Sequence, residues 1–169
     1  GWLRDMISLK IEDVKSFMAM LLTNTLFDEF ILKEMEIQTF KNFHVSSQFY
    51  ENFFSKEELE EREEKGDALW SEIRGIAFSI IRGNKTPLSM KIVLALSRKH
   101  VIALVNSLGG KLNIEDVGGL YINIRFEKND LHIITGTAIK TFTLDKTLEQ
   151  EWDIWVRKFL KAQNIQFTE

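Results

Sequence analysis

Gly83-Asn84-Lys85-Thr86 is the stretch whose residue types sound most like chemistry, because Gly, Lys and Thr together cradle phosphates in nucleotide-binding loops. Such a loop needs a strand before it and a helix after it, so that free amides and the helix dipole meet the phosphate. The order here is reversed. Leu69, Ile73, Ile76, Ala77 and Ile80 predict a well-buried helix that stops at Gly83, and Leu88, Met90, Ile92, Leu94 and Leu96 alternate as a strand behind it. Phe78 and Ser79 stand where the first loop glycine belongs, and Pro87 pushes Thr86 towards extended geometry. The stretch reads as a helix C-cap followed by an entry turn.

The other reactive residue types are scattered. His44, His100 and His132 have no second His or Cys at ligand spacing. His44 and His132 follow two similar turns and become neighbours if those hairpins pair; half-exposed strand histidines are the plainer reading. Glu34 and Glu36 share one strand face beside Lys33, and Asp116 sits in a loop next to Gly118-Gly119 without a base or nucleophile nearby. Glu57, Glu58, Glu60, Glu61, Glu63 and Glu64 belong to a helix with almost no apolar face, where an acidic run marks solvent. No serine has a nucleophile-elbow context. The sequence therefore assigns no catalytic, metal or cofactor-binding residue, and no cofactor is expected. For binding it offers Tyr121 and Arg125, which lie with Asn123 and Glu127 on the outward face of a hairpin, and Arg98 and Lys99, which head a helix. Phe49, Tyr50, Phe53 and Phe54 could dock a partner, but buried packing is the default for such a cluster.

The elements that must position these residues follow from periodicity. Ile7, Leu9 and Ile11 predict a strand; Val14, Phe17, Met18 and Leu21 a helix; the alternation around Lys41-Asn42 a hairpin. Ser55-x-x-Glu58 is a capping box that opens a helix ending near Gly66. The strand after Pro87 also carries Val93 and Ala95 on its second face, which marks a central position. A helix over Val101–Leu108 closes at Gly109-Gly110. Leu120, Ile122, Ile124 and Phe126 turn at Lys128-Asn129-Asp130 into Leu131 and Ile133, and a last strand is expected over Ala138–Leu144. Leu148, Trp152, Trp155, Val156 and Phe159 form the stripe of a final helix over 147–162, with Thr147-x-x-Gln150 as its capping box.

With 169 residues, 44% hydrophobic and 28% charged, the chain has the composition of one folded domain, 1–169, and its single proline leaves no linker. A net charge of −3 sets up no general attraction for nucleic acid, though a local basic patch stays open. No apolar run reaches the ~18–20 residues of a bilayer span, so no membrane contact is expected. The start "GWLRDMISLK" lacks a secretory pattern; Met6 reads as a natural start, with Gly1–Asp5 upstream of it. The absence of cysteine fits a reducing cytoplasm.

Strand, helix and hairpin recur in the same order in residues 6–50 and 88–144, offset by about 85 residues, with a helical insert over 55–83. This doubled β-α-β-β pattern, which implies two similar sheets side by side, resembles a DNA sliding-clamp domain, most of all in "NIRFEKNDLHIITGTAIKTF". That resemblance implies a clamp-like fold and carries over no functional residue; Lys10, Lys15, Arg98 and Lys99 are the basic residues a DNA-facing surface would use. A closer resemblance runs through "MISLKIEDVKSFMAMLLTNTLFDEF", "LWSEIR", "RGNKTPLSMKIVLALS", "YINIRF" and "LDKTLEQEWD". These are similar to a family of small clostridial-type bacterial proteins catalogued only as a domain of unknown function. The expectation is an α+β domain with a mainly antiparallel sheet and helices on one side. Its expected role is non-enzymatic binding or scaffolding of a protein partner. The alternatives are a small enzyme built from dispersed acids and histidines, and a clamp-like nucleic-acid partner.

Overall fold

Alternating apolar and polar residues in five separate segments supply strands that each have one face to bury, and the chain joins them edge to edge. A computed structural model describes residues 2–81 and 85–169. The strands are β1 (Trp2–Ile11), β2 (Ile31–Gln38), β3 (Asn42–Val45), β4 (Ala68–Leu69), β5 (Ser89–Ala95), β6 (Val117–Glu127), β7 (Asp130–Ile139) and β8 (Phe167–Thr168). The helices are α1 (Val14–Thr23), α2 (Lys56–Glu61), α3 (Trp70–Ile81), α4 (Arg98–Asn106) and α5 (Thr147–Ala162). One eight-stranded sheet runs β3-β2-β5-β6-β7-β1-β8, with β4 paired to β2 beside β3, and its strand pairs are antiparallel. This is the expected α+β arrangement.

One face of the sheet carries the core. Leu9, Met35, Ile37, Ile92, Leu94, Leu120, Ile124, Leu131 and Ile133 are sealed from solvent there. α5 lays Leu148, Trp152, Val156 and Leu160 over them, and the Trp152 indole donates to the Tyr121 carbonyl at 2.9 Å. Trp155 and Phe159 stack on each other and meet Phe27 and Phe30, the turn that follows α1, so the last helix is clamped to the first third of the chain by rings. Edge-to-face and offset pairs of this kind add to the area they bury.

The strand–helix–strand–strand order does occur twice, as β1-α1-β2-β3 and β5-α4-β6-β7, but the two units share one sheet and are paired differently. β5 lies between β2 and β6, whereas β1 lies between β7 and β8. β1 starts at Trp2, so residues 2–5, read as lying upstream, pair with β7 from Trp2↔Ile139 to Asp5↔Gly136.

Several local expectations are corrected. Ala138 and Ile139 continue β7, and no strand covers residues 140–144. α5 is not opened by a Thr147 capping box: Lys146 holds the cap position, and the Asp145 carboxylate accepts from the Thr147 amide and hydroxyl instead. The Ser55–Glu58 box is made in both directions, yet α2 ends at Glu61, where Arg62 turns inward to serve the loop. α3 buries only Trp70 and Ala77; Ile76 and Phe78 are open to solvent. The expected cap at Gly83 lies outside the described residues, but Lys85 and Thr86 do stand between a helix and a strand.

Candidate functional site

The second face of the sheet presents the side chains that alternate with the core set, and strand register decides which of them meet. Glu36 of β2 is paired with His44 of β3 and Lys91 of β5. Lys91 is paired with Arg125 of β6, Arg125 with His132 of β7, and His132 with Lys10 of β1. Six ionisable side chains therefore form one line across six strands, each about 4.8 Å from the next. A parallel line next to it holds Glu34, Val93, Asn123, Ile134 and Ser8. An irregularity between Leu32 and Glu34 turns both Glu34 and Glu36 to this face.

Charge on the face is partly neutralised. Glu34 accepts from Lys91 at 2.9 Å and has the His44 Nε2 3.8 Å away. The Lys91 hydrogen bond holds the Glu34 carboxyl below the usual range against the opposing effect of burial. Lys10 reaches Asp130 at 3.7 Å in an exposed pair. Arg125 is exposed and makes no ion pair or hydrogen bond among the described residues. Tyr121, also on this face, is half-buried, and its ring runs back over Gly119. A Cβ on Gly119 would stand 2.5 Å from the phenol oxygen, so glycine is what lets the ring lie flat. A shallow hollow bounded by Ser8, Arg125, Lys128, Asp130, His132 and Ile134 marks the β6–β7 end of the face.

Arg98 and Lys99 are elsewhere. They start α4, beyond the end of β5, and the Arg98 guanidinium donates to the carbonyls of Val117 and Ile114 at 3.0 and 3.1 Å. Arg98 thus ties down the approach to β6, while Lys99 stays exposed. The four candidate binding residues fall in two places, Tyr121 with Arg125 on the open face and Arg98 with Lys99 at the sheet's end. Lys10 and Lys15 lie at the opposite end of the strands from Arg98 and Lys99, so the four do not form one basic strip. His44 and His132 share a line but are four strands apart, about 19 Å, and do not converge. Asp116 sits in a single 3-10 turn, Ile114–Asp116.

Two features escaped the sequence. The ionic line needed register, which alternation within one strand does not supply. Ser97 and His100 meet, Oγ to Nδ1 at 2.7 Å, beside a cavity of about 200 Å³ that Glu29, Glu63, Glu64, Arg98 and Lys99 also border. Their spacing of three along a helix start was the available signal. The ring cluster Phe49–Phe54 is only half packed: Phe49 and Phe54 are half-buried, whereas Tyr50 and Phe53 are 61% and 83% exposed, against the default of burial.

Among the described residues no set of three His, Cys, Asp or Glu side chains is placed to hold a metal, and no helix is long and apolar enough to cross a membrane. No curated protein and no solved structure matches the chain. One family model does, described as a family of unknown function, and it matches residues 20–168, as the resemblance to such a family led one to expect. The chain belongs to the family of unknown function DUF5721.

Proposed function

We propose that the chain is a non-enzymatic protein-binding module that takes its partner on the open face of the sheet. The observation that carries this reading is Arg125, an exposed guanidinium without a partner among the described residues, at the centre of an ionic line on a face that α5 and the core leave uncovered. Arg is enriched in interfaces because its planar fork pairs with carboxylates in two places at once. Half-buried Val93, Tyr121 and Ile134 next to it supply apolar contact, and Lys91, His132 and Lys10 supply a rim. A partner with an acidic surface fits this arrangement. The test is site-specific photo-crosslinking in the source cell, with the probe at position 125, at 121, or at exposed Lys158 on α5. Adducts at 125 and 121 that Lys91→Glu removes support the reading; adducts at 158 alone, or at none of the three, overturn it.

A second reading, a small acid–base enzyme, is favoured by the Ser97–His100 pair at the acid-lined cavity. Its test is hydrolysis of an activated ester by the chain and by Ser97→Ala and His100→Ala. Loss in both variants supports it, and a rate unchanged by either removes it.

A further inference from the structure

Tyr50 and Phe53 project into solvent from a one-turn 3-10 helix, Glu51–Phe53, and yet the turn that carries them is fixed from below. Phe49 and Phe54 stack 5.9 Å apart, Phe53 packs edge-on to Phe54 at 5.3 Å, and the Arg62 guanidinium lies over both inner rings, 4.6 Å from Phe54 and 5.4 Å from Phe49. Arg62 is itself held by a two-bond fork to Glu72 at 2.7 and 2.8 Å and by the carbonyls of Glu64 and Asp67, both at 3.1 Å. The turn that carries the two outer rings is therefore fixed and Phe53 is held against Phe54, which lowers the ordering cost that a floppy loop would pay on binding.

Charge identifies what they would bind. Residues 49–66 hold seven glutamates against Lys56, Arg62 and Lys65, a net −4, whereas the whole chain carries −3, so the rest of the chain is slightly positive. Glu51, Glu57, Glu60, Glu61 and Glu63 are exposed, and their carboxylates have no ionic partner among the described residues. Exposed aromatic faces attract cations. The inner side of this same ring group already shows the match, a guanidinium on two phenylalanine faces with a carboxylate fork behind it. An apolar partner would bury carboxylates unpaired, and an anionic one would be repelled.

We propose that the Tyr50–Phe53 knuckle and the acidic α2 that follows it form a docking site for a lysine- and arginine-rich protein segment, whose cationic heads stack on the outer rings and pair with the glutamates. This site goes beyond the open-face reading and uses none of its residues, so either can fail alone.

The experiment is fluorescence-anisotropy titration with a labelled peptide of repeated Arg-Leu-Lys units, using the same peptide with Glu in place of Arg and Lys as control. Variants are Tyr50→Ala/Phe53→Ala, Phe53→Leu, Glu57→Gln/Glu60→Gln/Glu61→Gln, and Leu144→Ala, an exposed apolar residue outside the segment. The expected result is binding of the basic peptide alone, weakened about tenfold or more by the aromatic pair and by the glutamine set, measurably by Phe53→Leu, and not by Leu144→Ala. Unfolding midpoints equal to wild type confirm that the surface substitutions leave the fold intact. Absence of binding, preference for the acidic peptide, or loss with the glutamine set while the aromatic variants bind like wild type overturns the proposal.

Discussion

Replacing Arg62 tests the reasoning about the 49–72 segment most directly, because so much of it ends on one side chain. Arg62 is 13% exposed and its partner Glu72 is 38% exposed, so the fork between them is partly screened and contributes about 1 kcal/mol. Two charge-assisted bonds to the carbonyls of Glu64 and Asp67 add up to about 1.5 kcal/mol each, and two ring contacts about 0.5 kcal/mol each. These contributions overlap, and water re-solvates the carbonyls once the loop opens, so Arg62→Ala should cost about 2–3 kcal/mol. Arg62→Lys keeps the charge but loses the fork, and should cost about half as much. Urea unfolding at neutral pH measures both, and Glu72→Gln with Arg62→Ala completes a double-mutant cycle in which coupling of about 1 kcal/mol is expected. The Arg62 hydrogen bonds hold Glu72 below its ordinary range, so the pair stabilises above the unfolded glutamate pKa and stops doing so as pH falls through the folded one. The gap between wild type and Arg62→Ala should narrow in acid. A cost under about 1 kcal/mol, or a lysine variant as stable as wild type, would refute the view of Arg62 as the fastener of this segment.

Two further substitutions probe the core and its buried acid. Phe27→Ala empties a sealed position that touches the rings of Phe17, Phe30 and Phe159, and should cost about 3–5 kcal/mol in denaturant unfolding. Asp153 is pushed above its ordinary range chiefly by burial, against the Thr135 hydroxyl bonded to it at 2.6 Å and nearby Arg157, while Glu149 and Glu169 push it further up. A raised acid favours folding below its unfolded pKa, and that advantage is lost as pH rises through the folded value. Asp153→Asn should therefore gain melting temperature relative to wild type between about pH 4 and pH 7, and a difference that does not change with pH would contradict this.

Within-strand alternation was enough to find β5, β6 and most of β7, because Met90, Ile92, Ile122, Ile124, Leu131 and Ile133 each seal one face. The α5 stripe was as readable, with 147–162 matching its observed span. What local pattern could not carry was anything that depends on pairing across long loops. In the line from His44 to Lys10, the pairs Glu36–Lys91, Lys91–Arg125 and His132–Lys10 join residues far apart in sequence, and their register is set only by those distant contacts. Ile76 and Phe78 look like core residues by type, but α3 packs mainly on α1 and β2 and leaves that side open. Tyr50 and Phe53 failed as predicted core residues for another reason. Their neighbours Phe49 and Phe54 took Arg62 as the ring partner, and nothing in residue type says which aromatic of a cluster will face out.

β1 precedes the other strands in the chain, and its partners are the last two. Its neighbours are β7 and β8, so it has to wait through more than a hundred intervening residues before a hydrogen-bonded partner exists. Loops of that length close slowly, and a sheet dominated by such distant pairings folds slowly as a whole. While the chain is being synthesised, Leu9 and Ile11, which end sealed in the core, have no sheet to enter. The helix, hairpin and β5 that follow can assemble among themselves in the meantime. Until β7 emerges, the growing chain thus carries β1 as an unmatched strand, the kind of transiently exposed edge that invites aggregation and that the finished fold no longer displays.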